Sequence, residues 1–429
     1  VGRTVIHNAT LFTATGKDAF RGDLVVEGDR IASISPTSAQ LREGDIVIDA
    51  TGLFCMPGMT EGHAHLSFEN VTATEDLITP CPETQVFTAA RGAKALIEAG
   101  FTSAYGASEA KLKLAVAVRD EVNAGRLPGP RIRAGGLEIT VTGAMGDESK
   151  AHNPRQGPST IVDGVDEMRR AVRLHCREGI DNIKLDVSGD PFYPATPAHT
   201  TPMTFEEILV AAETAHAYGR KINAHTRSIE GSKRCVRAGV DGLFHTEYAD
   251  EELLDMMEEA RDRIFVVPTV GLFAQIMAGE ASAHGLTPEV GGYMNIPDLL
   301  ENSVKTHSEL RRRGIRHLIG GDYGFGWSKQ GTQGRDLKFF VDHYGYSPAE
   351  ALLCATRNGG LAMGYGGDLG TLEAGSLADL ILVAGDPLAD ISVLSGPEKV
   401  VFVMRAGDVQ KSTLPAASLA VAPALQAAE

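Results

Sequence analysis

Between residues 57 and 371 one texture repeats: a short run of apolar residues, a glycine or polar residue, then a segment of helical length. Apolar runs too short for a core helix read as strands buried on both faces, and strands joined through helices run parallel. Eight such runs can be counted, at 53–62, 101–105, 131–135, 182–187, 221–224, 242–244, 265–270 and 317–321. Helical patterns at 83–99, 165–178, 205–218 and 297–313 lie between them. Eight parallel strands imply a closed (β/α)8 barrel, an α/β fold whose reactive side chains sit at the C-terminal strand ends.

The two ends of the chain have a different texture. Residues 1–56 hold short alternating runs such as Asp23-Leu24-Val25-Val26, and 372–415 repeat the pattern in Leu380-Ile381-Leu382-Val383 and Val400-Val401-Phe402-Val403. The expectation is one small antiparallel β-sandwich domain, discontinuous in sequence, beside a barrel spanning 57–371. Residues 416–429, rich in alanine, are expected to form a tail, either flexible or laid on a neighbouring surface.

A net charge of −16 opposes binding to nucleic acid or to an anionic membrane, which leaves a small molecule as the expected partner. No run approaches the ~20 apolar residues that span a bilayer. No leader opens the chain, although a start at Val1 leaves room for one removed upstream. Five scattered cysteines without paired spacing read as reduced thiols of a cytoplasmic protein. Barrels of this size often associate, so a homo-oligomer is expected.

The chemistry is sought at the strand ends. The first strand closes on Glu61-Gly62-His63-Ala64-His65, where the period of two projects both imidazoles to one side. Lys184 lies within the fourth strand, His225 closes the fifth, His245 the sixth and Asp322 the eighth. Four imidazoles and a carboxylate suit borderline divalent cations, zinc first, with manganese, cobalt and iron as alternatives. A strand-buried lysine is costly as an ammonium, but carbamylation by carbon dioxide would make Lys184 an anionic bridge between two metal ions.

The stretch Pro57-Gly58-Met59-Thr60-Glu61-Gly62-His63-Ala64-His65 resembles the PGxxDxHxH opening of the amidohydrolase superfamily, with Glu61 where aspartate is usual. Segments 370–380 and 385–388 are similar to that superfamily's return into its sheet domain. The nearest texture is the branch of prolidase-like dipeptidases and arylamide hydrolases, which includes mycotoxin- and phenylurea-cleaving enzymes. The resemblance implies a binuclear site bridged by carboxylated Lys184, with His63, His65 and Asp322 on one ion and His225 and His245 on the other. A metal-activated hydroxide then attacks an amide-like carbonyl, and Asp322, with His245, is the expected catalytic pair.

One departure bears on substrate. That branch commonly shows Thr-Gly-Gly-His-Gly after the third strand, and this chain has Thr142-Gly143-Ala144-Met145-Gly146. Met145 offers an anion neither charge nor a strong hydrogen bond, which favours an amide, anilide, urea or carbamate over a peptide C-terminus. Tyr248, Tyr323, Phe325 and Trp327 are expected around the mouth to hold a flat apolar group, with His152 as a further lining residue. Arg227, two residues beyond His225, keeps a dipeptide in view. The rivals are a prolidase-like dipeptidase or carboxypeptidase, a mononuclear deaminase with unmodified Lys184, and a catalytically silent scaffold.

Overall fold

The computed structural model describes residues 2–422. Eight strands form the barrel: Met59–Ala64, Phe101–Gly106, Arg131–Arg133 running on as Gly135–Thr140, Asn182–Asp186, Lys221–Thr226, Gly242–His245, Phe265–Val267 and Arg316–His317. Successive strands pair in parallel. An isolated bridge from Ser108 to Gly136 joins the second strand to the third. Gly62 N donates to Ile319 O at 2.9 Å and closes the ring between first and eighth strands. The sequence explains that seam, since a Cβ on Gly62 would lie 2.6 Å from the Ile319 carbonyl oxygen.

Helices start and stop where local chemistry directs. The helix Phe205–Ala217 opens on a capping box of Thr204 and Glu207, while Ser228 and Asp250 cap the helices that follow the fifth and sixth strands. None of the described helices is long and apolar enough to cross a membrane.

The chain ends build a separate nine-stranded sheet. It is mixed rather than purely antiparallel, because Arg3–Leu11 runs parallel to both Ile46–Asp49 and Phe54–Pro57 while pairing antiparallel with Phe20–Glu27. The expected strand at 53–62 is two strands. Phe54–Pro57 pairs with Leu380–Val383 in the end sheet, Gly58 turns the chain, and Met59–Ala64 enters the barrel. At Gly58 any Cβ would overlap the Thr102 side chain, so the tight passage needs glycine. Period-two alternation then couples the two units. Leu380 and Leu382 bury in the sheet's own core, whereas Ile381 and Val383 join the barrel's core. Arg131 clamps the junction with two bonds to buried Asp379, at 2.9 and 3.1 Å. The segment expected to be a tail is partly sheet: Leu419–Val421 pairs antiparallel with Ile46–Asp49, whose free edge it covers. The rest of that segment, 423–429, lies outside the described residues.

Candidate active site

The C-terminal end of the barrel opens into a cavity of about 540 Å³ lined by His63, His65, Lys184, His225, His245 and Asp322 together. The rings crowd one another, with centroids 4.9 Å apart for His63 and His65, 5.4 Å for His63 and His245, and 4.4 Å for His225 and His245. Asp322 Oδ1 lies 3.0 Å from His65 Nε2 and 3.9 Å from His63 Nε2. Ligand atoms of His63, His245 and Asp322 fall within 4.8 Å of one another.

The scaffold fixes each ring. His65 Nδ1 donates to Ser108 O at 2.8 Å, and His225 Nε2 donates to Gly189 O at 3.1 Å. The Thr269 hydroxyl donates to Pro268 O at 2.8 Å, so it receives its bond from His245 Nδ1–H. On His225 and His245 these bonds leave the other ring nitrogen free of its proton, the form in which imidazole binds cations, whereas His65 presents Nε2 to Asp322. His307, on the helix Ile296–Arg312, donates from Nε2 to His245 O at 2.7 Å, and the adjacent Thr306 hydroxyl donates to Glu247 O at 2.7 Å. That support matters because the backbone is strained here: His245, Thr246, Thr269 and Asp322 all have positive φ, at 75°, 55°, 54° and 58°. Such conformations in branched or bulky residues persist where packing over-determines them, and they gather at functional sites.

Electrostatics sort the groups. Burial drives the pKa values of His63, His225 and His245 well below the usual imidazole value, so these rings are neutral. Burial opposes charge on His65 too, but its bond to Asp322 outweighs that and raises it. Burial pushes the Asp322 carboxyl up, and the facing histidines outweigh it, holding the group ionised below the ordinary carboxylate range. Lys184 is 2% exposed, with Nζ 3.3 Å from Glu138 and 3.5 Å from Asp186. Burial disfavours its ammonium, and those carboxylates more than restore it.

A cation fits this donor set. A carboxylate oxygen and neutral imidazole nitrogens are both accepted by borderline divalent cations, and His63 Nδ1 is buried without a hydrogen-bond partner.

Other expected lining residues divide. Met145, Arg227, Phe325 and Trp327 line the cavity. Phe325 stacks on Trp327 at 5.3 Å, and Phe68 stacks on His65 at 4.4 Å. Tyr323 does not reach it: the ring is buried and its hydroxyl donates to Asp336 at 2.9 Å, the carboxylate that also receives Gly320 N. Tyr248 turns away to Asp298 at 2.8 Å. His152 is exposed on its loop, away from the lining. Arg227 is not a free cation, since its Nε donates to Asp190 at 2.8 Å, its Nη1 pairs with Glu247, and the guanidinium lies 4.8 Å over Phe273. Glu138 was missed by the sequence reading. It takes the Ser108 hydroxyl at 3.0 Å as well as Lys184, from a strand that the apolar pattern ended at residue 135. A charged residue alternating within Gly135–Thr140 was the available signal.

A closed barrel with imidazoles, lysine and carboxylates at its C-terminal rim has the make-up of a barrel enzyme whose site could hold a metal ion. Its relatives narrow that class. The Amidohydrolase family model matches residues 54–409, and the chain belongs to that family; with the relatives below, this makes it a hydrolase acting on carbon–nitrogen bonds. The ochratoxinase of Aspergillus niger is 29% identical over 381 residues, covering 83% of this chain and 75% of that protein. Its crystal structure superposes with a TM-score of 0.81 at 26% identity, covering 96% of each chain. A crystal structure of a Xaa-Pro dipeptidase with bound methionine gives a TM-score of 0.85 at 28% identity, covering 95% of this chain and 99% of that one.

Proposed function

We propose that the chain hydrolyses the carbon–nitrogen bond of a small amide, anilide, urea or carbamate, with two divalent cations, zinc by preference, at the barrel mouth. His63, His65 and Asp322 would hold one ion, His225 and His245 the other, and Lys184 as its carbamate would join them. When bound, the ions supply Lewis acidity, which lowers the pKa of water and polarises a carbonyl. Carbamylation adds carbon dioxide to neutral Nζ with loss of one proton. The product sets an anion beside Glu138 and Asp186, and nearby positive ions are what make that crowding tolerable.

The chain's own residues do the rest. Asp322, kept ionised, accepts the proton of the attacking water and returns it to the departing nitrogen, so that hydroxyl ends on carbon and hydrogen on nitrogen. Phe68, Phe325 and Trp327 offer rings to an aryl group and exclude water from the bond under attack. The free thiols, four of five buried, suit a reducing cytoplasm.

The observation that carries this reading is the convergence of four histidines, Lys184 and Asp322 on one cavity. A dipeptide is the second reading, favoured by the likeness to the Xaa-Pro dipeptidase. It is weakened by Arg227, already committed to Asp190 and Glu247 when a peptide carboxylate would need it. The test is elemental analysis of the purified protein together with turnover of acyl anilides, phenylureas and Xaa-Pro dipeptides. Two equivalents of metal and faster anilide turnover are expected. One equivalent with unmodified Lys184 would indicate a mononuclear deaminase-like centre, and no turnover of any substrate a silent barrel.

A further inference from the structure

We propose that the mouth contains a subsite for a protonated amine at Glu148, so that the amide cleaved here carries a cationic arm. This rests on the hydrolase reading above and concerns the substrate of that same cavity. Charge balance along the lining carries it. Lys184 is answered by Glu138 and Asp186, and Arg227 by Asp190 and Glu247. Asp322 faces His65. Glu109 is spent on the backbone, accepting the N–H groups of Leu66 and Ser67 at 3.1 and 2.7 Å. Glu148 stands apart. Its Oε1 accepts from two neutral hydroxyls, Tyr193 at 3.2 Å and Thr74 at 3.4 Å, and among the described residues no lysine, arginine or histidine pairs with it.

The position is half-buried within the cavity and not on open surface, so a charge brought there is less screened than in water. Phe192 and Tyr193 line the same region, and aromatic faces attract ammonium groups. Met145, nearby in sequence, supplies apolar wall but no competing charge. An anionic arm finds no free guanidinium, because Arg227 is already paired with Asp190 and Glu247.

The test uses N-acetyl-lysine p-nitroanilide and N-acetyl-norleucine p-nitroanilide, which differ at the end of one arm by an ammonium. Both are assayed with the metal-loaded protein and its Glu148→Gln and Glu148→Asp variants. The parent is expected to favour the lysine compound by about tenfold or more in kcat/KM, the usual scale of a charge-assisted contact. Glu148→Gln should bring that ratio near one, and Glu148→Asp should retain part of it. Calorimetric binding of both compounds to the parent accompanies the kinetics and needs no variant to fold. Equal affinities and equal kcat/KM in the parent would overturn the subsite, as would a preference that survives Glu148→Gln. A lysine preference in binding with no turnover of either compound would instead remove the hydrolase reading and leave the subsite standing.

Discussion

Replacing Arg227 by methionine should damage stability in a strongly pH-dependent way. The guanidinium is 1% exposed and holds two carboxylates, Asp190 at 2.8 Å and Glu247, while packing over Phe273. Methionine preserves much of the apolar contact and removes the charge, leaving two buried acids without their cation. Breaking a buried pair from one side costs about 3–5 kcal/mol. Burial already pushes Glu247 up to about 7 even though Arg227 opposes the shift, so the variant's Glu247 should titrate higher still. A carboxyl whose folded pKa exceeds its unfolded value binds more protons when folded, and stability falls as pH rises through that interval. At pH 6 the parent Glu247 is largely protonated and has less to lose. At pH 8 it is ionised in the parent and forbidden in the variant, so the full penalty is felt. Urea unfolding of metal-loaded parent, Arg227→Met and Arg227→Lys at both pH values, followed by Trp327 fluorescence, measures this. A variant as stable as the parent at pH 8, or one hurt more at pH 6, would refute the pairing argument.

Three further outcomes are expected. Asp322→Asn should lower kcat about 10²–10⁴-fold while His63, His65 and the remaining ligands retain most of the metal by elemental analysis; full turnover would remove Asp322 from proton transfer. His307→Leu, which deletes the donor to His245 O, should weaken metal affinity about 10–100-fold in a chelator competition, and His307→Gln should recover part of it. Gly320→Ala should reduce metal content and destabilise by about 1–3 kcal/mol in the same unfolding assay, since the new Cβ would sit 2.8 Å from both the backbone N and the Cβ of His63.

The barrel was readable because its strands are short and buried on both faces, a pattern that survives without any alignment. The strand-end histidines were readable together and not singly: a lone imidazole is most often structural, but four of them with Lys184 and Asp322 at successive strand ends are hard to explain by chance. What escaped was long-range pairing. Glu138 gains its meaning from Ser108 and Lys184, neither near it in sequence. Tyr323 seemed to belong to the mouth by proximity to Asp322, yet buried Asp336, fourteen residues beyond Asp322, turns its hydroxyl inward. The division of 53–62 into two strands was hidden because the break is made by a steric demand at Gly58, set by Thr102 on a different strand.

The pairing of Phe54–Pro57 with Leu380–Val383 has a consequence for biosynthesis. During translation the N-terminal strands leave the ribosome long before their partner exists, so Cys55 and Leu11 have no completed core to enter. That apolar ribbon cannot be buried in its final sheet until the last strands arrive, so completion of the end sheet is a late step of folding.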